Sequence, residues 1–323
     1  MATRPDVILI FEVHQPYRLA QHPIAGRALG GAGLEESYFD VELTRRIFER
    51  VSSRCYKPAT SMFLKLLDEH SEFRVSYSVS GVLLEQAERW DPDLLDLFRQ
   101  VARHRRCEVL CQTYYHSLAY FISLEEFVEQ VEMHRRAVRD LLGAEPRVFE
   151  NTELIYDNGV ARVAQELGFR AVVTEGAERV LGWRSPNYVY RAKGLDIRVL
   201  LRNYRLSDDV GFRFASVWWE EYPLTADKYA SWLASTPGQV VCVFIDYETV
   251  GEHYPRQTGI FEFFEWLPVE AEKRGLRFAT PSEAVERYPP VGEVDVTEPI
   301  SWADVERDTS AWLGNVMQQL SIA

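Results

Sequence analysis

Long hydrophobic runs are missing from this sequence. No stretch approaches the roughly 20 apolar residues that a membrane-spanning helix requires, so the sequence predicts a protein that does not cross a bilayer. The apolar run at residues 7–11 is shorter than the core of a secretion signal and leads straight into polar residues, which argues against export. We therefore expect a soluble, cytoplasmic protein.

Cysteine and positive charge are scarce as well. The four cysteines are Cys55, Cys107, Cys111 and Cys242, and Cys107 and Cys111 are one residue too far apart for a CxxC pair. This scarcity excludes a disulfide scaffold and argues against a zinc ribbon. With 49 acidic and 36 basic residues the formal charge is −13 at pH 7, so the field repels nucleic acids and anionic membranes. We expect a neutral substrate, without a metal ion or a cofactor.

The rest of the composition is that of a globular α/β protein. Of the 323 residues, 46% are hydrophobic and 26% are charged, enough for a sizeable core. Runs rich in β-branched residues predict strands at residues 7–13, 74–79, 108–113, 147–150, 170–174, 240–245 and 276–279. Amphipathic stretches predict helices at residues 42–51, 58–70, 92–104, 124–142 and 158–167. This alternation predicts parallel strands with crossover helices, and the length suits one α/β barrel.

Two segments depart from the alternation. Residues 188–201, with Lys193-Gly194 at the centre, read as an inserted hairpin that we expect to decorate the barrel. After residue 290 the pattern weakens into a loop, followed by a possible helix at residues 302–320. We therefore expect a catalytic barrel at residues 1–290 and a short C-terminal helical segment at residues 291–323.

Polar and aromatic residues follow several predicted strands. In barrels and open α/β sheets, function lies just beyond the carboxyl ends of the strands, where these side chains would meet on one face. The residues at these positions are Glu12, His14, Gln15, Gln112, Tyr114, Tyr115, His116, Glu150, Asn151, Glu153, Asp246, Glu248 and His253.

Such a set suits the cleavage of glycosidic bonds. That reaction uses two carboxyl groups on either side of the scissile bond, and sugars stack on aromatic faces such as those of Trp218 and Trp219. Each residue alone has a plainer interpretation. A carboxylate after a strand often caps a helix, a histidine often serves a structural hydrogen bond, and tryptophans often fill a core. Their coincidence at one end of several strands favours a site.

At these residues the sequence resembles glycoside hydrolase family 57, whose members act on α-glucans as α-amylases, amylopullulanases, 4-α-glucanotransferases and branching enzymes. The resemblance covers nearly the whole chain. It rests on His14-Gln15-Pro16 and on residues 80–85, 151–156, 246–253 and 280–283, with further matches at residues 113–118 and 301–304.

The resemblance implies an incomplete (β/α)7 barrel and a retaining mechanism. Glu153 would be the nucleophile and Asp246 the general acid/base, whose pKa should be raised by burial or by the charge of Glu153. The residues expected to bind the α-glucan or maltooligosaccharide substrate are His14, Gln15, Tyr114, His116, Trp218, Trp219, Glu248, His253 and Trp302.

Two positions depart from the family pattern. Glu150 stands where a basic residue is expected, and Gln112 stands where a glutamate is expected. The favoured function is an α-amylase-like hydrolase of α-1,4-glucans. A 4-α-glucanotransferase or other transglycosylase and a weakly active glucan-binding protein remain alternatives, whereas a metal-dependent deacetylase lacks its paired-histidine spacing. The oligomeric state stays open.

Overall fold

The computed structural model describes residues 4–21 and 37–322. At its centre is β1 (Asp6–Val13), whose eight residues are all buried. It pairs in parallel with β2 (Val75–Val79), β8 (Val240–Asp246) and the short β9 (Arg277–Phe278). A parallel strand covered on both faces is apolar along most of its length, which explains the continuous Val-Ile-Leu-Ile-Phe run of β1.

The remaining strands extend this sheet until it closes. The strand β3 (Cys107–Val109) pairs with β2, while β4 (Val148–Glu150), β5 (Ala171–Glu175) and β7 (Arg198–Arg202) continue from β8 on the other side. A parallel bridge between Cys111 and Phe149 joins the end of β3 to β4. The ring β4-β5-β7-β8-β1-β2-β3 is therefore the predicted incomplete (β/α)7 barrel, with its seam between β3 and β4.

Helices cover the outside of the ring, and the five helices predicted between residues 42 and 167 are confirmed to within about five residues at their ends. The helices are α1 (Val41–Val51), α2 (Lys57–Glu69), α3 (Gly81–Trp90), α4 (Pro92–Ala102), α5 (Ala119–Ile122), α6 (Leu124–Ala137), α7 (Asn158–Glu166), α8 (Glu178–Leu181), α9 (Tyr204–Gly211), α10 (Ala226–Ser235), α11 (Ile260–Lys273), α12 (Pro281–Arg287), α13 (Ser310–Leu313) and α14 (Val316–Ile322). Side chains such as Asp40 and Ser80 accept hydrogen bonds at their N-termini, as expected of helix caps.

Alternation along each strand separates two apolar layers. Val7, Leu9 and Phe11 pack in the cluster that includes the surrounding helices. Ile8 and Ile10 belong to a second cluster made mainly of strand residues, which fills the barrel. Because side chains alternate along a strand, Glu12 points into the barrel at its carboxyl end.

The predicted hairpin is confirmed, but its second strand is not a decoration. The strand β6 (Tyr190–Ala192) pairs antiparallel with β7, and Gly194 takes φ 68° at the turn. However, β7 also pairs in parallel with β5 and β8 and is therefore a barrel strand. The sequence was misleading here because the buried run Val199-Leu200-Leu201 is short and lies between Arg198 and Arg202, which resembles one arm of a hairpin.

The C-terminal segment begins on the barrel. The strand β10 (Glu293–Val294) pairs with β6, and Ile300 bridges to Tyr156. The single helix predicted at residues 302–320 is wrong, because residues 302–309 form turns and bends and Arg307 adopts φ 52°, which a helix does not allow. Two short helices, α13 and α14, follow instead. The division of the chain at residue 290 stays a prediction.

Within the described ranges, no helix combines the length and the apolar character that crossing a bilayer would need. All four cysteines are unpaired, and Cys55, Cys111 and Cys242 are buried. The structure is therefore held by packing and hydrogen bonds, not by disulfides.

Candidate active site

A layer of polar side chains closes the carboxyl end of the barrel interior. On each strand of the ring, the polar residue of this layer lies two positions beyond a residue that faces into the barrel. Because side chains alternate between the two faces of a strand, the polar residue faces inward as well. The layer consists of Glu12, Ser78, Gln112, Glu150, Glu175, Arg202 and Asp246. Register supports this arrangement, because Glu12 is paired with both Ser78 and Asp246 on the neighbouring strands. The predicted convergence of strand-end residues on one face is confirmed.

Glu153 lies in a tight turn directly after β4. The turn spans Thr152–Leu154, and Glu153 takes φ 56° and ψ 26°, a left-handed conformation that a residue with a Cβ rarely adopts. The Ser301 hydroxyl donates to the Glu153 carbonyl oxygen at 2.7 Å. This backbone geometry lifts the carboxyl group out of the barrel wall, and the Glu153 side chain is 32% exposed.

Two side chains contact the Glu153 carboxyl group. The Trp302 indole Nε1–H donates to Oε2 at 2.8 Å, and His116 Nε2 lies 3.4 Å from Oε1. Burial alone would raise the pKa of Glu153. The hydrogen bond and charge of His116, together with the Trp302 bond, outweigh burial and lower it. Glu153 is therefore held as a carboxylate.

Asp246, at the end of β8, has the opposite tendency. Burial, followed by the negative charge of Glu153, raises the pKa of Asp246, while His253, His116 and Arg202 act in the other direction with smaller effect. The sequence-based expectation of a raised Asp246 pKa is thus confirmed, and for the physical reasons given. When two carboxyl groups lie close enough for their charges to interact, their pKa values separate. This is the arrangement expected of an acid and a nucleophile.

His14 and His116 form a stacked pair in the same site. Their ring centroids are 4.2 Å apart at an interplanar angle of 27°. His14 Nδ1 is 2.8 Å from the Ser80 hydroxyl, and burial, His116 and Arg18 lower the pKa of His14 well below its ordinary value. His14 is therefore neutral at neutral pH and can both donate and accept hydrogen bonds.

Gln15 and Tyr114 are oriented by neighbouring side chains. Gln15 is buried, and its Oε1 accepts from Arg18 at 3.1 Å. Tyr114 donates to Glu85 at 2.7 Å, with its ring against Gly81. Gln15 directly follows His14 in the loop after β1, and Tyr114 lies two residues before His116 in the loop after β3.

Glu248 and His253 follow Asp246. Tyr56 donates a hydrogen bond to the buried Glu248 carboxyl group, and burial with the charge of Asp246 raises the pKa of Glu248 to about 8. His253 is exposed, yet its charge acts on Asp246. Glu248 is therefore a neutral acid beneath the site, and His253 lies at its mouth.

Trp218 and Trp219 stand apart from the carboxyl pair. Trp218 is 93% exposed, while Trp219 packs against Trp232 and carries the Arg213 guanidinium over its ring. Neither shares a hydrogen bond or a ring contact with Glu153 or Asp246 in the described part of the chain. The structure does not bring these two tryptophans to the reacting groups.

Sequence reasoning missed Arg202. This buried guanidinium bonds to Glu175 at 3.0 Å and to Asp208 at 2.6 Å, and it lies 5.0 Å from the centroid of the Trp302 ring. It therefore supports the tryptophan that bonds to Glu153. The signal was present, since Arg202 directly follows an apolar run, but that run had been assigned to a decorative hairpin.

The arrangement combines a carboxyl group whose pKa is lowered, a second carboxyl group whose pKa is raised, and imidazole, indole and hydroxyl donors. Across residues 4–21 and 37–322, no group of three or more His, Cys, Asp or Glu side chains is placed to hold a metal ion. The site suits acid and nucleophile chemistry at a polar, uncharged substrate.

Comparison with known proteins adds the following findings. A family model described as glycosyl hydrolase family 57 matches residues 8–297. A protein of Methanocaldococcus jannaschii, named as a candidate alpha-amylase, is 49% identical over 315 residues, which are 96% of this chain and 66% of that protein. The chain thus spans just under two thirds of that relative's length.

Two solved structures share the fold. The 4-alpha-glucanotransferase of Thermococcus litoralis superposes with a TM-score of 0.69 at 22% identity, covering 94% of this chain and 43% of that one. A branching enzyme of Thermococcus kodakaraensis gives a TM-score of 0.74 at 14% identity, covering 99% and 77%. At these identities the likeness concerns the fold.

Proposed function

The chain belongs to glycosyl hydrolase family 57, and from that premise we propose that it hydrolyses α-1,4-linked glucans with retention of configuration. Glu153 is the nucleophile and Asp246 the general acid/base. The observation that carries the proposal is the opposite direction of two pKa shifts in one site, lowered for Glu153 and raised for Asp246. One carboxylate ready to attack and one acid ready to donate are what a retaining enzyme needs.

In the first step Glu153 attacks the anomeric carbon while Asp246 gives its proton to the departing glycosidic oxygen. The C–O bond to the leaving sugar breaks, and an ester bond forms between the glucosyl unit and Glu153. Trp302 Nε1–H and His116 hold the carboxylate in one orientation before attack. Asp246 is left ionised.

In the second step the ionised Asp246 takes a proton from water, which attacks the anomeric carbon from the face that the leaving group vacated. The ester bond breaks, Glu153 is again a carboxylate and Asp246 is again protonated. Two inversions give net retention. The cycle needs no external reductant, oxidant or metal ion.

The remaining predicted residues are proposed to bind the sugar. Neutral His14 and the neighbouring His116 face hydroxyl groups of the unit being cleaved, and Tyr114 provides an aromatic surface beside them. Glu248, His253 and Gln15 border the same end of the barrel. Trp218 and Trp219 would contact the chain only at subsites distant from the scissile bond.

Hydrolysis is proposed over transfer, and the products distinguish the two. The same ester intermediate serves both reactions, which differ in whether water or a sugar accepts the glucosyl unit. Incubation with a single maltooligosaccharide is expected to give shorter oligosaccharides. Products longer than the starting sugar would identify a transglycosylase such as a 4-α-glucanotransferase, and failure to consume any α-glucan would leave only a binding function.

The catalytic roles are tested by product stereochemistry in two variants. Glu153→Gln keeps the acid but forms no ester, so hydrolysis should fall by several orders of magnitude and added azide should yield an inverted glucosyl azide. Asp246→Ala keeps the nucleophile, so a glucosyl fluoride should still form the ester and azide should yield a retained product. NMR of the anomeric proton assigns both configurations.

Glu178→Gln is the control, because Glu178 is an exposed carboxylate bonded to Arg205 and Tyr204, outside the barrel. It should keep wild-type turnover. A retained azide product from Glu153→Gln, or an inverted one from Asp246→Ala, would show that the roles are exchanged or belong to other residues.

A further inference from the structure

The two departures from the family pattern are linked by hydrogen bonds inside the barrel. The Ser78 hydroxyl donates to Glu150 Oε1 at 2.7 Å, and Gln112 Nε2 donates to the Ser78 oxygen at 2.8 Å. The carbonyl oxygen of Gln112 then lies 2.9 Å from His116 Nδ1. A continuous chain of contacts, hereafter the Glu150 relay, thus runs from Glu150 to His116.

The acceptor at Glu150 sets the direction in which the hydrogen bonds of the relay donate. Glu150 Oε1 takes the only hydrogen of the Ser78 hydroxyl, so the Ser78 oxygen is left to accept from Gln112. Gln112 turns its amide N–H to Ser78, and its carbonyl oxygen therefore faces His116. A carbonyl oxygen opposite Nδ1 requires a hydrogen on Nδ1, because one ring nitrogen's partner decides where the proton sits.

The other ring nitrogen of His116 faces the proposed nucleophile. His116 Nε2 is 3.4 Å from Glu153 Oε1. Once Nδ1 carries a hydrogen, Nε2 can donate to the Glu153 carboxylate only by taking a second proton, which makes the ring a cation. A cationic donor stabilises the ionised form of a carboxylate more strongly than a neutral one.

Several other charged or titratable groups face the two ends of the relay. Glu12 Oε1 lies 3.3 Å from His116 Nδ1, the His14 ring stacks on His116, and the charge of His116 acts on Asp246. At the far end, burial raises the pKa of Glu150 to about 8, with Glu153 adding to the rise and Ser78 opposing it. Below that pH Glu150 is neutral, and the direction of the relay is kept when the proton sits on Oε2, because Oε1 then still accepts from Ser78.

We infer that Glu150 is a positioning residue which, through Ser78 and Gln112, fixes the hydrogen on His116 Nδ1 and so decides which form of Nε2 faces Glu153. This inference rests on the proposed role of Glu153 as nucleophile. Glu150 itself does not touch the substrate. Gln112 belongs to the Glu150 relay as well. Only a side chain with both a hydrogen-bond donor and an acceptor can donate to Ser78 and accept from His116 Nδ1.

The test compares two replacements of Glu150. Glu150→Leu removes the acceptor, so the Ser78 hydroxyl is free to turn toward Gln112, the amide reverses and its N–H faces His116 Nδ1. The hydrogen on Nδ1 then moves to Nε2, so the tautomer of the ring is reversed. Glu150→Gln keeps a carbonyl oxygen for Ser78 and reproduces the neutral form of the acid.

Three measurements are expected to move in Glu150→Leu. The 15N signal of His116 Nδ1 should change from protonated to unprotonated, and kcat should fall by at least roughly 10-fold, as occurs when a catalytic histidine takes the wrong tautomer. The acid limb of the kcat/KM profile should shift to higher pH, because the pKa of Glu153 rises when His116 no longer lowers it to the same extent. Glu150→Gln should keep all three near wild type.

Matched variants keep the result interpretable. Ser78→Ala breaks the relay one residue further on and should reproduce Glu150→Leu, which provides the test if Glu150→Leu does not fold. Glu108→Leu removes another partly buried carboxyl group, which accepts hydrogen bonds from Ser282 and lies outside the relay. This variant should leave the His116 signals unchanged.

The inference is overturned if Ser78→Ala or Glu150→Leu keeps the wild-type His116 signals, or if Glu150→Gln loses as much activity as Glu150→Leu. Failure of the proposed function has a different signature. In that case Glu153→Gln would retain turnover, whatever the nitrogen signals of His116 show.

Discussion

At the scale of single residues, Glu153 and Leu154 occupy left-handed backbone conformations, with φ 56° and φ 52°. Each such residue costs on the order of 1 kcal/mol or more, so the surrounding contacts must hold the turn in place. The Ser301 and Trp302 side chains and the Trp302 amide N–H all donate to Glu153. The nucleophile is thus positioned by a segment about 150 residues further along the chain.

Trp302→Phe isolates one of these contacts. Phenylalanine retains a ring that can pack on Phe244 and under Arg202, but it lacks the N–H that reaches Glu153 Oε2. A hydrogen bond to a charged group is worth about 1.5–3 kcal/mol, so kcat should fall by roughly 10-fold or more. The pKa of Glu153 should rise, which moves the acid limb of kcat/KM to higher pH.

The control for Trp302→Phe is Trp232→Phe, which changes a tryptophan that packs on Trp219 and Tyr229 away from the carboxyl pair. It should alter neither kcat nor the pH profile. If Trp302→Phe kept the wild-type acid limb, the Trp302 hydrogen bond would have no part in holding Glu153 ionised.

At the scale of elements, the loop after β3 is pressed against the N-terminus of α3. The Tyr114 ring lies where a Cβ on Gly81 would stand, with ring atoms 2.4 to 2.6 Å from that position. Gly81 therefore permits the approach of the loop that carries His116. Ser80, which caps α3, contacts His14 from the same helix end.

Gly81→Ala tests this contact between the two elements. The added methyl group must displace the Tyr114 ring, and overpacking of this kind costs typically 1–3 kcal/mol. We expect a lower unfolding midpoint in urea together with lower kcat, because the loop that holds His116 moves with Tyr114. Denaturation followed by tryptophan fluorescence, and kinetics on a maltooligosaccharide, measure the two effects.

Gly292→Ala is the matched control, since no heavy atom lies within 4 Å of its added Cβ. It should change neither property by a measurable amount. If Gly81→Ala lost stability but kept the wild-type kcat, the packing of Tyr114 on Gly81 would not control the position of His116.

At the scale of the whole molecule, several buried carboxyl groups have a raised pKa, among them three glutamates. Glu12, Glu150 and Glu248 are buried. Burial is the first cause of each raised pKa, with neighbouring carboxylates adding to it, and the pKa of Glu150 and of Glu248 is about 8. The folded protein therefore binds protons that the unfolded chain has released above about pH 4.3.

This proton uptake predicts that stability falls as pH rises from about 6.5 to 8. Between the unfolded and folded pKa of a buried acid, the folded state holds more protons, so the free energy of unfolding decreases by up to about 1.4 kcal/mol per pH unit for each proton. His14 and His134, whose pKa is lowered by burial, have the opposite effect, but only below about pH 6.5 where unfolded histidine titrates.

Circular dichroism melts at several pH values across this window should give a falling Tm. Glu150→Gln and Glu248→Gln should each reduce the slope, because an amide does not titrate. A Tm that stays level or rises between these pH values would mean that the buried carboxyl groups are ionised in the folded protein.

The sequence by itself determined most of the strands, the helices between residues 42 and 167 that were predicted, and the set of polar residues that follow the strands. These features depend on local periodicity and on residue type, which a single chain displays directly. The motif residues Glu153, Asp246, His14 and His116 could be named in this way, and so could the raised pKa of Asp246, because both depend on strand-end placement and on mutual charge.

Only the tertiary structure decided which of these residues meet, and in what state. Trp302 and Glu153 come together through packing of distant segments, and Arg202 supports them because β7 joins the ring between β5 and β8. Trp218 and Trp219 carry the same aromatic signal but lie elsewhere. The Glu150 relay depends on differences of a few tenths of an ångström in the hydrogen-bond distances inside the barrel. These distances are set by the closure of the whole sheet, not by any local sequence pattern.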